Sequence, residues 1–416
     1  AEVERFGRQL VLPKLGVEGQ RALLGASVLV IGAGGLGCPV ALYLCAAGVG
    51  RLGIVDGDTV AVSNLHRQIA HRADGVGVNK AESLRRSCSA INSKTRIDVY
   101  PIRVNTVLEA AEVAAGYDVL LDCTDAPRSR YLINDAAISS RRPLVAASAV
   151  GLSGQLTVYN FQGGPCLRCA FPEPPATEAA IESSGSCEEN GVLGPVPGIL
   201  GTLAALEAIK VLAKGALTPS CLNGRLLMYD ALDPTQPFRT LRVARRQGCI
   251  GCGGGDGAAG LADTLPLVSP PKSLASPPEI SPDTLRAHLS NAGGAAIVVV
   301  DVRQAPHFAV THLVDAVNLP LPALLRSSDD DLRARVVAAS AASAAALAPR
   351  EGSSSTRFPS QDGVSIVCVC RRGNDSRHAT RRLRAAGLAA WNLEGGLLAL
   401  DSIDSAALDS LGPRRP

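Results

Sequence analysis

The chain has 416 residues, 46% of them hydrophobic and 19% charged, which is enough apolar material for more than one buried core and argues against global disorder. A formal net charge of +3, from 41 basic and 38 acidic residues, is too small to predict a nucleic-acid surface, so no direct nucleic-acid ligand is expected. No apolar run reaches the roughly 18–20 residues of a membrane span and the opening AEVERFGRQ lacks the order of a secretory signal, so a soluble, cytoplasmic chain with no membrane partner is expected. Twelve cysteines in such a chain, four of them in two C-x-x-C pairs, suggest thiols kept reduced for metal binding and chemistry.

From Ser27 onward, short β-branched runs alternate with helix-like stretches: Val28 to Ile31, Leu36 to Gly48, Leu52 to Asp56, Val119 to Asp122 and Leu144 to Ser148. Such alternation predicts a doubly wound, Rossmann-like α/β domain with a largely parallel sheet. Gly198 to Ala213 is mostly apolar, with charges only at Glu207 and Lys210, and reads as a largely buried helix. This first domain is expected to span 1–252. The Gly-, Pro- and Ser-rich stretch 253–282 reads as a linker. A smaller α/β domain, 283–416, then opens with a helix near Pro282 to Leu289, a strand at Ile297 to Asp301, a strand at Val364 to Val369 and a helix after Asp375. Within it, 327–363 is rich in Ala, Ser and Asp and reads as an insertion.

Gly32, Gly34 and Gly37 form G-x-G-x-x-G between the first strand and the first helix, and Asp56 ends the next strand. The glycines admit phosphate to a helix N-terminus, and the acid suits ribose hydroxyls. Alone, this pattern would most often mean a nicotinamide dehydrogenase. Ser63, Asn64, Leu65, His66, Arg67 and Gln68 follow within a dozen residues, then Lys80, and Asp125 closes the run DCTD. A triphosphate carries more charge than a dinucleotide pyrophosphate, so it needs Arg and Lys at its tail and an acid for Mg²⁺, which points to ATP. Singly, Arg67 and Lys80 could be solvated surface charges and Asp125 a helix cap.

GAGGLG, the run from Asp56 to Gln68 and DCTD together resemble the adenylating domain shared by ubiquitin-activating enzymes and bacterial adenylyltransferases of molybdopterin and thiamine synthesis. The resemblance implies ATP and Mg²⁺ as cofactors, with nucleotide contacts from Gly34, Gly35, Asp56, Ser63, Asn64, Leu65, His66, Arg67 and Lys80 and a metal contact from Asp125. It also implies a homodimer in which Arg8, in RFGRQ, reaches the neighbouring subunit's nucleotide. Ala126 departs from the family, which often has Asn there. The implied reaction converts a carboxylate to an acyl-adenylate by positioning and charge stabilisation, without a covalent residue.

Cys166-Leu-Arg-Cys169 and Cys249-Ile-Gly-Cys252 lie in Pro- and Gly-rich settings. Four thiolates at this spacing make a closed, structural Zn²⁺ site, whereas a redox dithiol needs one pair and a following helix. Cys187 lies in the polar stretch ESSGSCEENGVLGP, where a lone cysteine is usually incidental. Cys38, Cys45, Cys88, Cys123 and Cys221 fall in apolar or helical contexts and read as packing residues.

Cys370 ends the strand SIVCV and is followed by Arg-Arg-Gly-Asn-Asp-Ser and a basic helix. Backbone N–H groups and a helix N-terminus favour thiolate and persulfide anions there, and a phosphatase would use a similar cradle. CRRGNDS resembles the active loop of single-domain rhodaneses, as VVVDVR and HLVDAVNLPL resemble that domain's other signatures. His307 stands where an acid is usual and Asp315 where Gly is usual. Cys368, two residues before Cys370, reads as a core residue.

The domain order resembles that of eukaryotic adenylyltransferase–sulfurtransferase fusions, over nearly the whole chain. That resemblance implies adenylation of a ubiquitin-like sulfur carrier ending in Gly-Gly, then sulfur transfer from a Cys370 persulfide to give a thiocarboxylate for tRNA thiolation or molybdopterin synthesis. It implies an upstream donor, either a persulfide enzyme or thiosulfate, and makes Cys187 a second catalytic residue that forms a thioester or an acyl-disulfide. The alternative is an activating enzyme that passes a thioester to a conjugating carrier and uses the rhodanese fold for docking.

Overall fold

The computed structural model describes residues 2–172, 191–213, 215–253, 277–290, 297–335, 338, 365–371 and 373–401. The chain forms two units, residues 1–269 and 270–416, each with its own sheet. The linker expected at 253–282 and the insertion expected at 327–363 fall largely outside the described residues.

Among the described residues the first unit holds eight strands in the order β3-β2-β1-β4-β5-β6-β7-β8. They are β1 Ser27–Ile31, β2 Arg51–Val55, β3 Arg96–Tyr100, β4 Val119–Asp122, β5 Leu144–Val150, β6 Ser153–Tyr159, β7 Arg225–Asp230 and β8 Phe238–Arg242. The first five are parallel, with the order reversing between β1 and β4, the crevice where doubly wound sheets bind ligands. β1 and β4 are apolar along nearly their whole length because helices cover both faces of a parallel sheet.

Strands β6, β7 and β8 extend this sheet in antiparallel fashion, a part the largely parallel reading did not include. Periodicity hides them for two physical reasons. The last four residues of β6 are all buried, and every residue of the edge strand β8 is exposed, so neither alternates.

The helix read as Gly198 to Ala213 spans Pro195–Leu212 and packs on the Gly37–Ala47 helix, β5 and β6. Among the described residues it alone is long and apolar enough to cross a membrane, but 56% of it is buried within the unit. Its one buried acid, Glu207, accepts the Leu222 N–H at 2.8 Å and pairs with Lys210.

Among the described residues the second unit holds a five-stranded parallel sheet in the order β11-β10-β12-β13-β9. Its strands are β9 Glu279–Ile280, β10 Ile297–Asp301, β11 Val317–Asn318, β12 Ser365–Val369 and β13 Ala390–Leu393. β12 is central and buried throughout, and Cys370 follows its last residue. The expected helices correspond to Pro282–Ser290 and Asn374–Ala385.

Candidate active sites

The glycine loop lies at the β1–β4 reversal. Gly32 has φ +100°, and a Cβ there would lie 2.7 Å from the Cys123 carbonyl oxygen, so only glycine lets the two strand ends approach. A Cβ at Gly37 would sit 1.9 Å from the Gly32 carbonyl oxygen. Gly34 faces open space except for the Gln68 amide nitrogen at 3.6 Å, whereas Gly35 packs on Pro197 and the Arg67 carbonyl.

Ala33, between these glycines, is held from two sides. Its N–H donates to Asp56 Oδ2 at 2.8 Å, and its carbonyl oxygen lies 2.9 Å from His71 Nε2. His71 is buried, with Nδ1 2.9 Å from the Ser83 hydroxyl, and burial holds its pKa below the usual value. A neutral imidazole donating from Nε2 and accepting at Nδ1 satisfies every group present. The other Asp56 oxygen accepts the Asp58 N–H at 2.8 Å.

Residues 61–68 form the wall beside this loop. Asn64 is buried and its Oδ1 accepts the Ala61 N–H at 3.0 Å, which fixes the tight turn Val62–Asn64. Arg67 donates to the Ser63 carbonyl at 2.9 Å and lies 2.7 Å from His66 Nε2. Partial burial, with Arg67 adjacent, lowers the His66 pKa. Leu65 is half-buried, and the buried Gln68 Oε1 has no hydrogen-bond partner.

Lys80 opens the Lys80–Ile91 helix behind its cap Asn79, with Nζ 3.1 Å from Asp58 Oδ2. Arg103 takes the other oxygen of Asp58 at 2.5 Å. Burial pushes the Asp58 carboxyl up, but Lys80 and Arg103 outweigh it and hold the pKa below the usual range. Asp125 is exposed beyond β4. The following helix, Pro127–Ser139, is capped by Ala126, so Asp125 is not its cap. Asp122, by contrast, is buried and shapes that turn by accepting the Thr124 N–H at 3.0 Å and its hydroxyl at 2.7 Å.

Arg8 is not brought to the glycine loop of its own chain. In its helix, Glu2–Leu10, Gln9 donates to the Ala47 carbonyl at 3.1 Å and Phe6 covers Gly48. Both contacts lie at the far end of the Gly37–Ala47 helix, roughly 16 Å from its N-terminus at 1.5 Å per residue.

The sulfurs of Cys166, Cys169, Cys249 and Cys252 all lie within 4.8 Å of one another. Separations of 3.4 Å for Cys169–Cys252, 3.7 Å for Cys166–Cys249 and 3.9 Å for Cys166–Cys169 are close to the edge of about 3.8 Å in a tetrahedron with zinc–sulfur bonds of about 2.3 Å. The two shortest separations join the pairs across 83 positions, a convergence that fits a shared ion better than two independent dithiols. The residues therefore fit zinc. The Arg246 N–H donates to Cys169 Sγ at 3.3 Å, a further feature of a thiolate knuckle.

In the second unit, Cys370 Sγ is buried and accepts the Gly373 N–H at 3.1 Å and the Ser376 hydroxyl at 3.3 Å. Gly373, with φ +86°, caps the Asn374–Ala385 helix, whose N-terminus lies beside the sulfur. A second glycine, overlooked in the sequence, supports the loop from outside. A Cβ at Gly396 would lie 2.5 Å from both the Cys370 carbonyl oxygen and the Gly373 nitrogen. Cys368 is wholly buried, and burial pushes its thiol up to about 12. Arg371 is exposed. Asp301 and Arg303 of the VVVDVR run form a bidentate pair, with Nη2 2.6 Å from Oδ2 and Nε 3.0 Å from Oδ1. Asp315 has φ +59°, the left-handed region that explains why glycine is usual there. His307 is an exposed residue of the short Ala305–Val310 helix. Cys187 and Arg372 lie outside the described residues.

The ThiF family matches residues 6–251 and the rhodanese-like domain matches residues 281–402. The chain is 40% identical over 432 residues to the adenylyltransferase and sulfurtransferase uba4 of Neosartorya fischeri, covering 96% of this chain and 84% of that protein. It is 39% identical to the adenylyltransferase and sulfurtransferase MOCS3 of Arabidopsis thaliana, covering 95% and 82% of the two chains. Among solved structures it resembles E. coli MccB bound to MccA-N7isoASN, with a TM-score of 0.54 and 21% identity over 61% of this chain and 75% of that one, a likeness of fold. The chain belongs to the ThiF family and, through the rhodanese-like domain that follows, to the enzymes named adenylyltransferase and sulfurtransferase.

Proposed function

We propose that the chain adenylates the C-terminal glycine of a ubiquitin-like sulfur carrier ending in Gly-Gly and then converts it to a thiocarboxylate with sulfur held on Cys370. The observation that carries this reading is the Cys370 cradle: a strand-end sulfur with a backbone N–H at 3.1 Å and a hydroxyl at 3.3 Å, in a chain that also carries an adenylating fold. Donors aimed at sulfur favour its anion, which makes a persulfide nucleophilic enough to displace AMP from an acyl-adenylate. A docking module would not need this geometry, which disfavours transfer to a conjugating carrier.

In the first unit, ATP would lie over the open face of Gly34, with Asp56 at the ribose and Arg67 and Lys80 at the phosphates. The Ser63–His66 turn would support that wall, and Asp125 would hold Mg²⁺. A cavity of about 300 Å³ lined by Asp122, Arg130, Tyr131, Gln155, Thr157 and Phe171 offers room for a slender carrier tail. Zinc would be held by Cys166, Cys169, Cys249 and Cys252 as a structural ion. Arg8, too far from its own glycine loop, would serve a second subunit of a homodimer. Cys187 would capture the acyl group as a thioester before the persulfide attacks, or its thiolate would attack Cys370 Sγ in the acyl-disulfide, releasing the thiocarboxylate and leaving a Cys187–Cys370 disulfide for an external thiol to reduce. The product would serve tRNA thiolation or molybdopterin synthesis, with thiosulfate or a persulfide enzyme as donor.

The test is incubation of the protein with ATP, thiosulfate and a panel of Gly-Gly carriers, followed by mass spectrometry of the carrier. Replacement of one oxygen by sulfur is expected. An unmodified carrier, or a carrier linked only through a thioester, would refute the reading.

A further inference from the structure

The two carboxylate oxygens of Asp58 are divided between two cations. Lys80 Nζ takes Oδ2 at 3.1 Å and Arg103 takes Oδ1 at 2.5 Å. The two cations differ in setting. The Lys80 side chain is 11% exposed, at the start of a helix whose cap Asn79 also ties the Asp56 and Asp58 carbonyls at 2.9 and 3.1 Å. The Arg103 side chain is 75% exposed. Gly57, between the two acids, explains how Arg103 arrives: a Cβ there would lie 2.7 Å from Arg103 Cγ and 2.9 Å from its backbone nitrogen. The guanidinium also lies within the fields of Asp56 and Asp125.

This arrangement poses a problem for a lysine that is to meet a triphosphate. If Asp58 had only Lys80 as counter-ion, each phosphate contact would strand a half-buried carboxylate without a partner. We infer that Arg103 is a positioning residue of the nucleotide site, holding Asp58 neutralised so that Lys80 can turn from Asp58 to phosphate. The inference rests on the reading of Lys80 as a phosphate ligand. Arg103 acts through Asp58, so removing Asp58's charge removes the need for it.

The experiment measures MgATP binding to the full chain by equilibrium dialysis, with thermal unfolding as a check on folding. Arg103→Gln is expected to weaken binding about fivefold, the scale of one partly exposed charge pair, and Asp58→Asn combined with Arg103→Gln to restore it to within about twofold of the unaltered chain. A merely structural role for Arg103 would not predict rescue by removal of its own partner. Unchanged binding in Arg103→Gln, or a double variant as weak as the single one, would overturn the inference. Lys80→Ala separates the two readings. Binding lost there while the double variant stays weak overturns only the role of Arg103, and binding kept in Lys80→Ala overturns both.

Discussion

Arg168 and Asp135 meet as a buried bidentate pair, with Nε 2.9 Å from Oδ1 and Nη2 2.6 Å from Oδ2. Arg168 lies inside the first C-x-x-C, and Asp135 on the helix that follows the exposed Asp125. The neighbouring Asn134 accepts the Leu167 N–H at 2.8 Å, so the cysteine knuckle is fastened to that helix twice. Removing one partner of such a pair strands the other charge, so Asp135→Ala is expected to cost about 3–5 kcal/mol of stability. Denaturant unfolding measures this. Replacing both residues together by apolar ones should cost much less, and equal losses in the single and double variants would contradict the charge argument.

About one zinc per chain is expected on metal analysis of freshly purified, reduced protein. Cys249→Ser should lower both zinc content and thermal stability, since closed thiolate sites contribute folding free energy. Full stability in a metal-free preparation would show that the four cysteines hold together without an ion.

Sulfur transfer should depend on Gly396 through space alone. Gly396→Ala places a Cβ 2.5 Å from the backbone of the Cys370 loop, at φ +64°, and should reduce thiosulfate-dependent transfer roughly tenfold or more while sparing adenylation. Gly387→Ala is the control. Its φ of +82° imposes similar strain, but its Cβ would approach only Arg333, at 3.7 Å. Labelled sulfur from thiosulfate should be recovered on Cys370 and not on Cys368, whose thiol, pushed up to about 12, stays protonated at neutral pH.

Asp125→Ala should abolish ATP-dependent pyrophosphate exchange with a Gly-Gly carrier. Mixing Arg8→Ala chains with Asp125→Ala chains should then restore one working site in each mixed dimer, because one subunit keeps Asp125 and its partner supplies Arg8. Failure of the mixture to recover any exchange, with mixed dimers verified by mass, would show that Arg8 does not act across subunits.

Contacts announced by a local motif are legible in the sequence, even across 83 positions, and contacts with no motif at either end are not. The two C-x-x-C pairs read as one cluster because each pair fixes half of a tetrahedron locally. The β1 and β4 strands announced themselves by continuous apolar runs. His71 could not be read in this way, since its target, the Ala33 carbonyl, lies 38 positions away. Arg103 is 45 positions from Asp58 and sits in a loop without motif character. Gly396 gains meaning only when the 395–396 turn packs on Cys370. Asp315 is the converse case, a departure visible in the sequence, where the structure's positive φ gives the reason that glycine is usual.

The Gly373 N–H that points at Cys370 Sγ belongs to the main chain. A peptide amide neither gains nor loses a proton near neutrality, and among replacements at 373 only proline would delete it. The two groups that cradle the sulfur, this amide and the Ser376 hydroxyl, therefore add no proton equilibrium of their own near neutral pH. Apart from loss of the Ser376 hydroxyl, inactivating replacements in this loop should be those that add bulk or shift the backbone, whereas polar residues facing outward should tolerate exchange.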